Sequence, residues 1–461
     1  MMSVQMAASL RVIVVLVCAT AIAVVDAAAG GVRVGLTRIH SEPGVTASQF
    51  VRDALRRDMH RRARFGRELA SSSSSSSSPA GTVSAPTRKD LPNGGEYIMT
   101  LAIGTPPLPY PAIADTGSDL VWTQCAPCGK RCFKQPSPLY NPSSSPTFRV
   151  LPCGSALNLC AAEARLAGAT PPPGCACRYN QTYGTGWTSG LQGSETFTFG
   201  SSPADQVRVP GIAFGCSNAS SDDWNGSAGL VGLGRGGLSL VSQLAAGMFS
   251  YCLTPFQDTK SKSTLLLGPA AAAALNGTGV RSTPFVPSPS KPPMSTYYYL
   301  NLTGISVGAA ALPIPPGAFA LRADGTGGLI IDSGTTITSL VDAAYKRVRA
   351  AVRSLVKLPV TDGSNATGLD LCFALPSSSS ATTSPPATLP SMTLHFGGGA
   401  DMVLPVENYM ILDGGMWCLA MRSQTDGELS TLGNYQQQNL HILYDVQKET
   451  LSFAPAKCST L

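Results

Sequence analysis

The stretch AIADTGSDLVW, residues 112–122, decides the reading of this chain. A short apolar run ends in Asp115, and a Thr-Gly-Ser turn follows. A carboxylate at the end of a buried strand costs free energy unless it is hydrogen-bonded or put to use. The same setting returns at GGLIIDSGTTIT, residues 327–338, where Asp332 follows Leu329, Ile330 and Ile331. Each aspartate is later followed by a glycine directly after an apolar residue: Gly232 in GLVGLG and Gly433 in STLGN. One Asp-Thr-Gly is ordinarily a turn or a helix cap. Two copies in matching frames read as an internal duplication at domain scale.

The rest of the chain fits that duplication. At 461 residues it exceeds one ordinary core, so two lobes are expected. Charged residues make up only 13%, while Gly (47) and Pro (36) mark many turns between short Val/Ile/Thr/Tyr/Phe runs, so the class is predominantly β. The expected organisation is a signal peptide at 1–29, a basic leader and Ser-rich linker at 30–90, a first lobe at 91–282 and a second at 283–461.

Arg11 precedes an apolar run from Val12 to Val25, and Ala27-Ala28-Ala29-Gly30 offers a cleavage site. The run is short of the roughly 20 apolar residues of a membrane span, and no later segment reaches that length. The C-terminal KCSTL carries no anchor signal. A secreted protein is expected, extracellular (cell wall, apoplast) or vacuolar, with no stable membrane anchor. Beyond Cys18 twelve cysteines remain, which suggests up to six disulfides in an oxidising compartment. Cys125-x2-Cys128-x3-Cys132 has zinc-like spacing, but the signal peptide favours disulfides. Six N-x-S/T sequons, at Asn180, Asn218, Asn225, Asn276, Asn301 and Asn365, agree with secretion.

The formal charge of +6 is unevenly placed: residues 27–90 hold 11 Lys/Arg against 5 Asp/Glu, and residues 91–461 hold 21 of each. The body of the protein therefore has no concentrated basic patch, and no nucleic-acid partner is expected. In the leader, FVRDALRRDMHRRARFGREL is either a solvated helix or an inhibitory prosegment whose cations face an acidic cleft. Ser71 to Ser78 then form a cleavable linker. Strands are expected at EYIMTLAIG, at AIADTG after a TPPLPYP turn, and at LQGSETFTFG, with an amphipathic helix over 341–356. Gly232-x-Gly234-x-Gly236 lacks the Lys-Ser/Thr of a phosphate loop and reads as a turn before a short helix at LSLVSQL. No G-x-S-x-G elbow is present. His395 reads as an exposed or core residue rather than a base. Trp224 reads as packing, and Trp187 remains open between packing and the cleft.

Two symmetric lobes, each presenting one aspartate, would bring the carboxylates together. Like charges at close range share one proton, leaving one base and one acid. The base takes a proton from a water between them, the acid polarises a peptide carbonyl, and the tetrahedral diol collapses onto the leaving amine. This chemistry calls for no cofactor and no metal. Gly117 and Gly334 permit a tight loop. Thr116 and Ser333 can bond across the interface, while Ser118 and Thr335 can donate to the carboxylates.

On these motifs, with NQTYGTGWTSG, FSYCLTP and STLGNYQQQNLHILYD, residues 94–461 resemble the pepsin-type aspartic endopeptidases, in their nepenthesin-like plant branch. The resemblance implies a bilobal all-β fold, a monomer, and protein or peptide substrates. It implies Asp115 and Asp332 as the catalytic pair and Tyr183, with Gly184 and Thr185, as the flap that closes on substrate. It also implies that the Trp122 indole N–H reaches Tyr183, that Cys372 pairs with Cys418, and that the Cys-rich segment 153–177 is the branch's insertion. The leader would be an intramolecular inhibitor. A catalytically inactive, glycosidase-inhibiting relative is the alternative, but such relatives tend to lose an aspartate or the flap, and here both are intact. The pitcher-fluid members are strongly acidic; the 21-to-21 balance here argues against extreme acid adaptation, while a shared proton still implies an acidic optimum.

Overall fold

The computed structural model describes residues 31–38, 46–59, 95–129, 131–155, 157, 175–183, 186–200, 206–221, 224, 226–258, 260–275, 279–375, 389–413 and 415–461. The expected signal peptide, the Ser-rich linker, most of the Cys-rich insertion, Gly184 and Thr185 lie outside them.

The duplication seen in sequence is a duplication of strand pairing. In the first half, strand Leu108–Asp115 runs parallel to Gly229–Gly232, with Asp115 opposite Gly232. Gly229–Gly232 is antiparallel to Trp122–Gln124, which runs parallel to Val207–Ser220. The second half repeats this: Leu329–Ile331 is parallel to Ser430–Leu432, which is antiparallel to Thr338–Val341, itself parallel to Met421–Gln424. Such strands, covered on both faces, read as continuous apolar runs rather than alternating ones. That is why AIA and LII precede the aspartates.

The strand holding Asp115 begins at Leu108, earlier than the expected TPPLPYP turn allows. Pro109 and Pro111 lie within it, opposite Ala102 and Thr100. A proline is tolerated in a strand wherever its missing N–H faces away from the ladder.

The halves are joined by sheet as well as chain. Met248–Cys252 pairs with Leu440–Asp445, and Arg281–Val286 with Thr450–Pro455. Disulfides reinforce the frame at Cys125–Cys216, Cys128–Cys132, Cys153–Cys175, Cys252–Cys458 and Cys372–Cys418, so the zinc-like spacing holds disulfides instead. The expected amphipathic helix spans Asp342–Leu355 and buries Ala344, Tyr345, Val348 and Val352, the i, i+4, i+8 face.

The leader is part of this architecture. Val32–Arg38 is a strand, and it pairs with both Ser263–Leu267 and the start of Tyr97–Ile103. Residues 47–59 form the expected helix, but a docked one. Phe50, Val51 and Leu55 pack on Ile337, Leu369, Ile411, Ala420 and Tyr435. Burying three such side chains contributes about 1.5–3 kcal/mol each, so the solvated-helix reading does not hold for this stretch.

Candidate active site

The two aspartate turns meet back to back. Thr116 N–H donates to Ser333 Oγ at 3.1 Å, and Ser333 N–H donates to Thr116 Oγ1 at 2.9 Å. Ser333 Oγ also donates to Ala114 O at 3.0 Å. These are the cross-interface bonds expected of Thr116 and Ser333. They fix the two loops relative to each other with short, buried groups that have little freedom to lose.

Each carboxylate is gripped by its own turn. Asp115 Oδ1 accepts from Gly117 N–H at 3.1 Å, and its Oδ2 accepts from Ser118 Oγ. Asp332 Oδ1 accepts from Gly334 N–H at 2.9 Å, and its Oδ2 from Thr335 Oγ1 at 2.6 Å. Both aspartates have 0% exposure, so these donors compensate the loss of water. Neither Gly117 nor Gly334 has a positive φ; what each supplies is an amide donor.

Gly232 and Gly433 have a steric purpose. A Cβ on Gly232 would stand 2.2 Å from the Asp119 carbonyl carbon, and one on Gly433 would stand 2.5 Å from Thr336 O. Asp119 and Thr336 each lie four residues beyond their aspartate, so both glycines let the chain after the turn cross against the neighbouring strand.

Asp119 was not singled out in the sequence, although it belongs to the same motif. Its Oδ1 accepts from Gly236 N–H at 2.8 Å and its Oδ2 from Thr296 Oγ1 at 2.6 Å. Cβ atoms on Gly234 and Gly236 would lie 2.5 and 2.1 Å from its carboxylate oxygens. The glycine-rich turn is structural, as expected, and it wraps this buried carboxyl. Burial pushes the Asp119 carboxyl up, the Thr296 and Gly236 bonds oppose the rise, and the Asp115 charge adds to it.

The second turn is met by the leader. Asp58, 2% exposed, accepts from Thr336 N–H at 3.0 Å and Ile337 N–H at 2.8 Å. Beside it Arg57 pairs with Glu96 at 2.7 Å. This leader cation meets an acid just after the linker, and a leader carboxylate on backbone amides accompanies it. An isolated acid in a basic segment gave no signal of that role.

Above the first turn, Tyr183 and Trp122 share a buried cluster with Ile113, Leu120 and Trp224. The hydrogen bond expected from the Trp122 indole to Tyr183 is not made: Trp122 Nε1 has no acceptor among the described residues. The two rings stand 6.4 Å apart, and Trp224 stands edge-on to both. Trp187 is half-buried and lines a 470 Å³ cavity with Arg131, Asn180 and Ser189 on the outer side of the hairpin. His395 lies on the strand Met392–Phe396, bonded to Asp401 and Ser306 at 2.7 Å each. Among the described residues no His/Cys/Asp/Glu cluster has the form of a metal site, and no helix is long and apolar enough to cross a membrane.

Comparison with known proteins agrees with this geometry. The family described as "Xylanase inhibitor N-terminal" matches residues 97–269, and "Xylanase inhibitor C-terminal" matches 297–455. "Aspartic proteinase nepenthesin-1" of Nepenthes gracilis is 42% identical over 94% of this chain and 92% of its own. "Aspartic proteinase nepenthesin-2" of the same plant is 40% identical over 93% and 90%. In fold, the structure titled "Crystal structure of edgp" superposes with a TM-score of 0.61 at 19% identity, covering 79% of this chain and 93% of that one. The chain belongs to the pepsin-type aspartic endopeptidases, in their nepenthesin-like branch.

Proposed function

We propose that Asp115 and Asp332 are the catalytic pair of a secreted aspartic-type endopeptidase. The observation that carries this reading is the reciprocal Thr116–Ser333 bonding, which sets two identically gripped, buried carboxylates on either side of one interface. With one shared proton, the ionised member takes a proton from water while the protonated member donates to the substrate carbonyl. Ser118 and Thr335 each bond the Oδ2 of their own aspartate and hold both carboxyl planes still, so little reorganisation accompanies the transfer. Tyr183, Gly184 and Thr185 act as the flap over an extended peptide, with Trp122 in its support. Activity requires one proton per pair, so the optimum is acidic.

The leader is proposed to keep the chain a zymogen, docked by its strand and helix until the linker is cut. The mature protein acts alone, outside the cell or in the vacuole. The matching family's description also names inhibitors of another enzyme, and an inactive binding protein is the second reading. Cleavage of a denatured protein substrate at pH 3–6 by the processed protein, abolished in Asp115→Asn, supports the first. Folded, processed protein with no cleavage overturns it in favour of the second.

A further inference from the structure

The flap hairpin rests on an aromatic that the sequence pattern does not mark. Trp224 is 3% exposed, and its ring stands 4.8 Å from Trp122 at 80° and 5.0 Å from Tyr183 at 85°. Both contacts are edge-to-face, the arrangement aromatic quadrupoles prefer. Trp122 and Tyr183 are farther apart, 6.4 Å, and merely tilted at 39°. Trp224 is itself held in place: its carbonyl accepts from Ser227 N–H at 3.2 Å and from Ser227 Oγ at 2.8 Å.

The flap is shaped to receive it. A Cβ on Gly186 would come within 3.3 Å of Trp224 Cζ2 and 2.0 Å of Ser221 Oγ, so only glycine lets the hairpin lie this close. Ser221 clasps the next residue from both sides, accepting from Trp187 N–H and donating its own N–H to Trp187 O, each at 3.0 Å. The turn is closed by Tyr183 N–H on Gly186 O at 2.6 Å.

We propose that Trp224 is a positioning residue for the flap, setting the Tyr183 ring by edge-on packing where a hydrogen bond from Trp122 is absent. This rests on the reading of Tyr183 as the flap residue over the Asp115–Asp332 pair. A packing lock depends on an aromatic ring of sufficient size, not on a donor. Phenylalanine therefore preserves it, and leucine, apolar and large but without a ring quadrupole, does not.

The test compares Trp224→Leu, Trp224→Phe, Tyr183→Ala and the Leu/Ala double variant, each expressed as the full chain and then cut in the linker by an added protease, with a quenched peptide substrate and amide hydrogen exchange. Trp224→Leu is expected to lower kcat/KM about tenfold and to speed exchange of the Tyr183 amide, while Trp224→Phe stays within about threefold. In the Tyr183→Ala background, Trp224→Leu should add almost nothing, because both act through one ring. Unchanged Tyr183 exchange in Trp224→Leu overturns the proposal, as do losses that multiply in the double variant. Parental cleavage that survives Asp115→Asn instead overturns the catalytic-pair reading, and the exchange comparison still decides what Trp224 does.

Discussion

The two aspartate turns are built on one plan and finished differently. In the first, the residue four beyond the aspartate is Asp119, and its carboxylate ties the loop to Gly236 and Thr296. In the second, the equivalent residue is Thr336, which brings no carboxylate. Its amide and that of Ile337 are instead taken by Asp58 of the leader. The first turn is completed from within the body of the protein. The second is completed by a segment proposed to leave. The duplicated fold therefore keeps its symmetry at the carboxylates, where the proposed chemistry needs it, and lets it lapse one layer out.

That comparison can be broken most directly at the carboxylates. Asp115→Asn and Asp332→Asn each remove one acid/base partner, and each is expected to lower kcat by about three orders of magnitude in a peptide-cleavage assay. A large loss at one turn and a mild loss at the other would show that the turns are not chemically paired.

The steric equivalence is next. Gly232→Ala and Gly433→Ala both force a Cβ against backbone 2.2–2.5 Å away, and overpacking of this kind costs about 1–3 kcal/mol. Thermal unfolding should register the two losses as similar. If Gly433→Ala is neutral, the second loop yields where the first does not.

Asp58→Ala addresses the asymmetry. Two buried amides lose their acceptor, at a cost of about 1–3 kcal/mol. In the unprocessed chain, the Thr336 and Ile337 amides should exchange faster and residues 47–59 should be clipped sooner by an added protease. Unaltered exchange would mean that the second turn holds itself.

The smallest effect belongs to Asp119→Asn and is a matter of pH. Burial raises the Asp119 carboxyl above its ordinary value of 3.8, so the folded protein binds this proton more tightly than the unfolded chain does. Stability from this group is full below pH 3.8 and is lost as pH rises through the raised value. The asparagine variant cannot titrate there. Its melting temperature should fall less between about pH 4 and 7 than the parent's, and parallel profiles would count against the buried titration.

Much of this was legible in the sequence because it depends on local spacing. The paired motifs, the glycines behind them, the hydroxyls beside each carboxylate and the helix over 341–356 all announce themselves by residue type and period. The unread features depend on who arrives from far away. Trp224 looked like ordinary packing until a hairpin some forty residues earlier was folded onto it. Asp58 was one acid among arginines, and its partners lie 278 and 279 residues away.

The sequence by itself determined the duplication, the β class and the pair of aspartate turns on which the proposed acid/base chemistry rests, because apolar run, aspartate and turn constrain one another over a few residues. Only the tertiary structure decided how each turn is braced, which ring bears on Tyr183 and where the leader sits. Those outcomes are set by shape and unsatisfied hydrogen-bonding groups across the chain, and no short window of sequence records them.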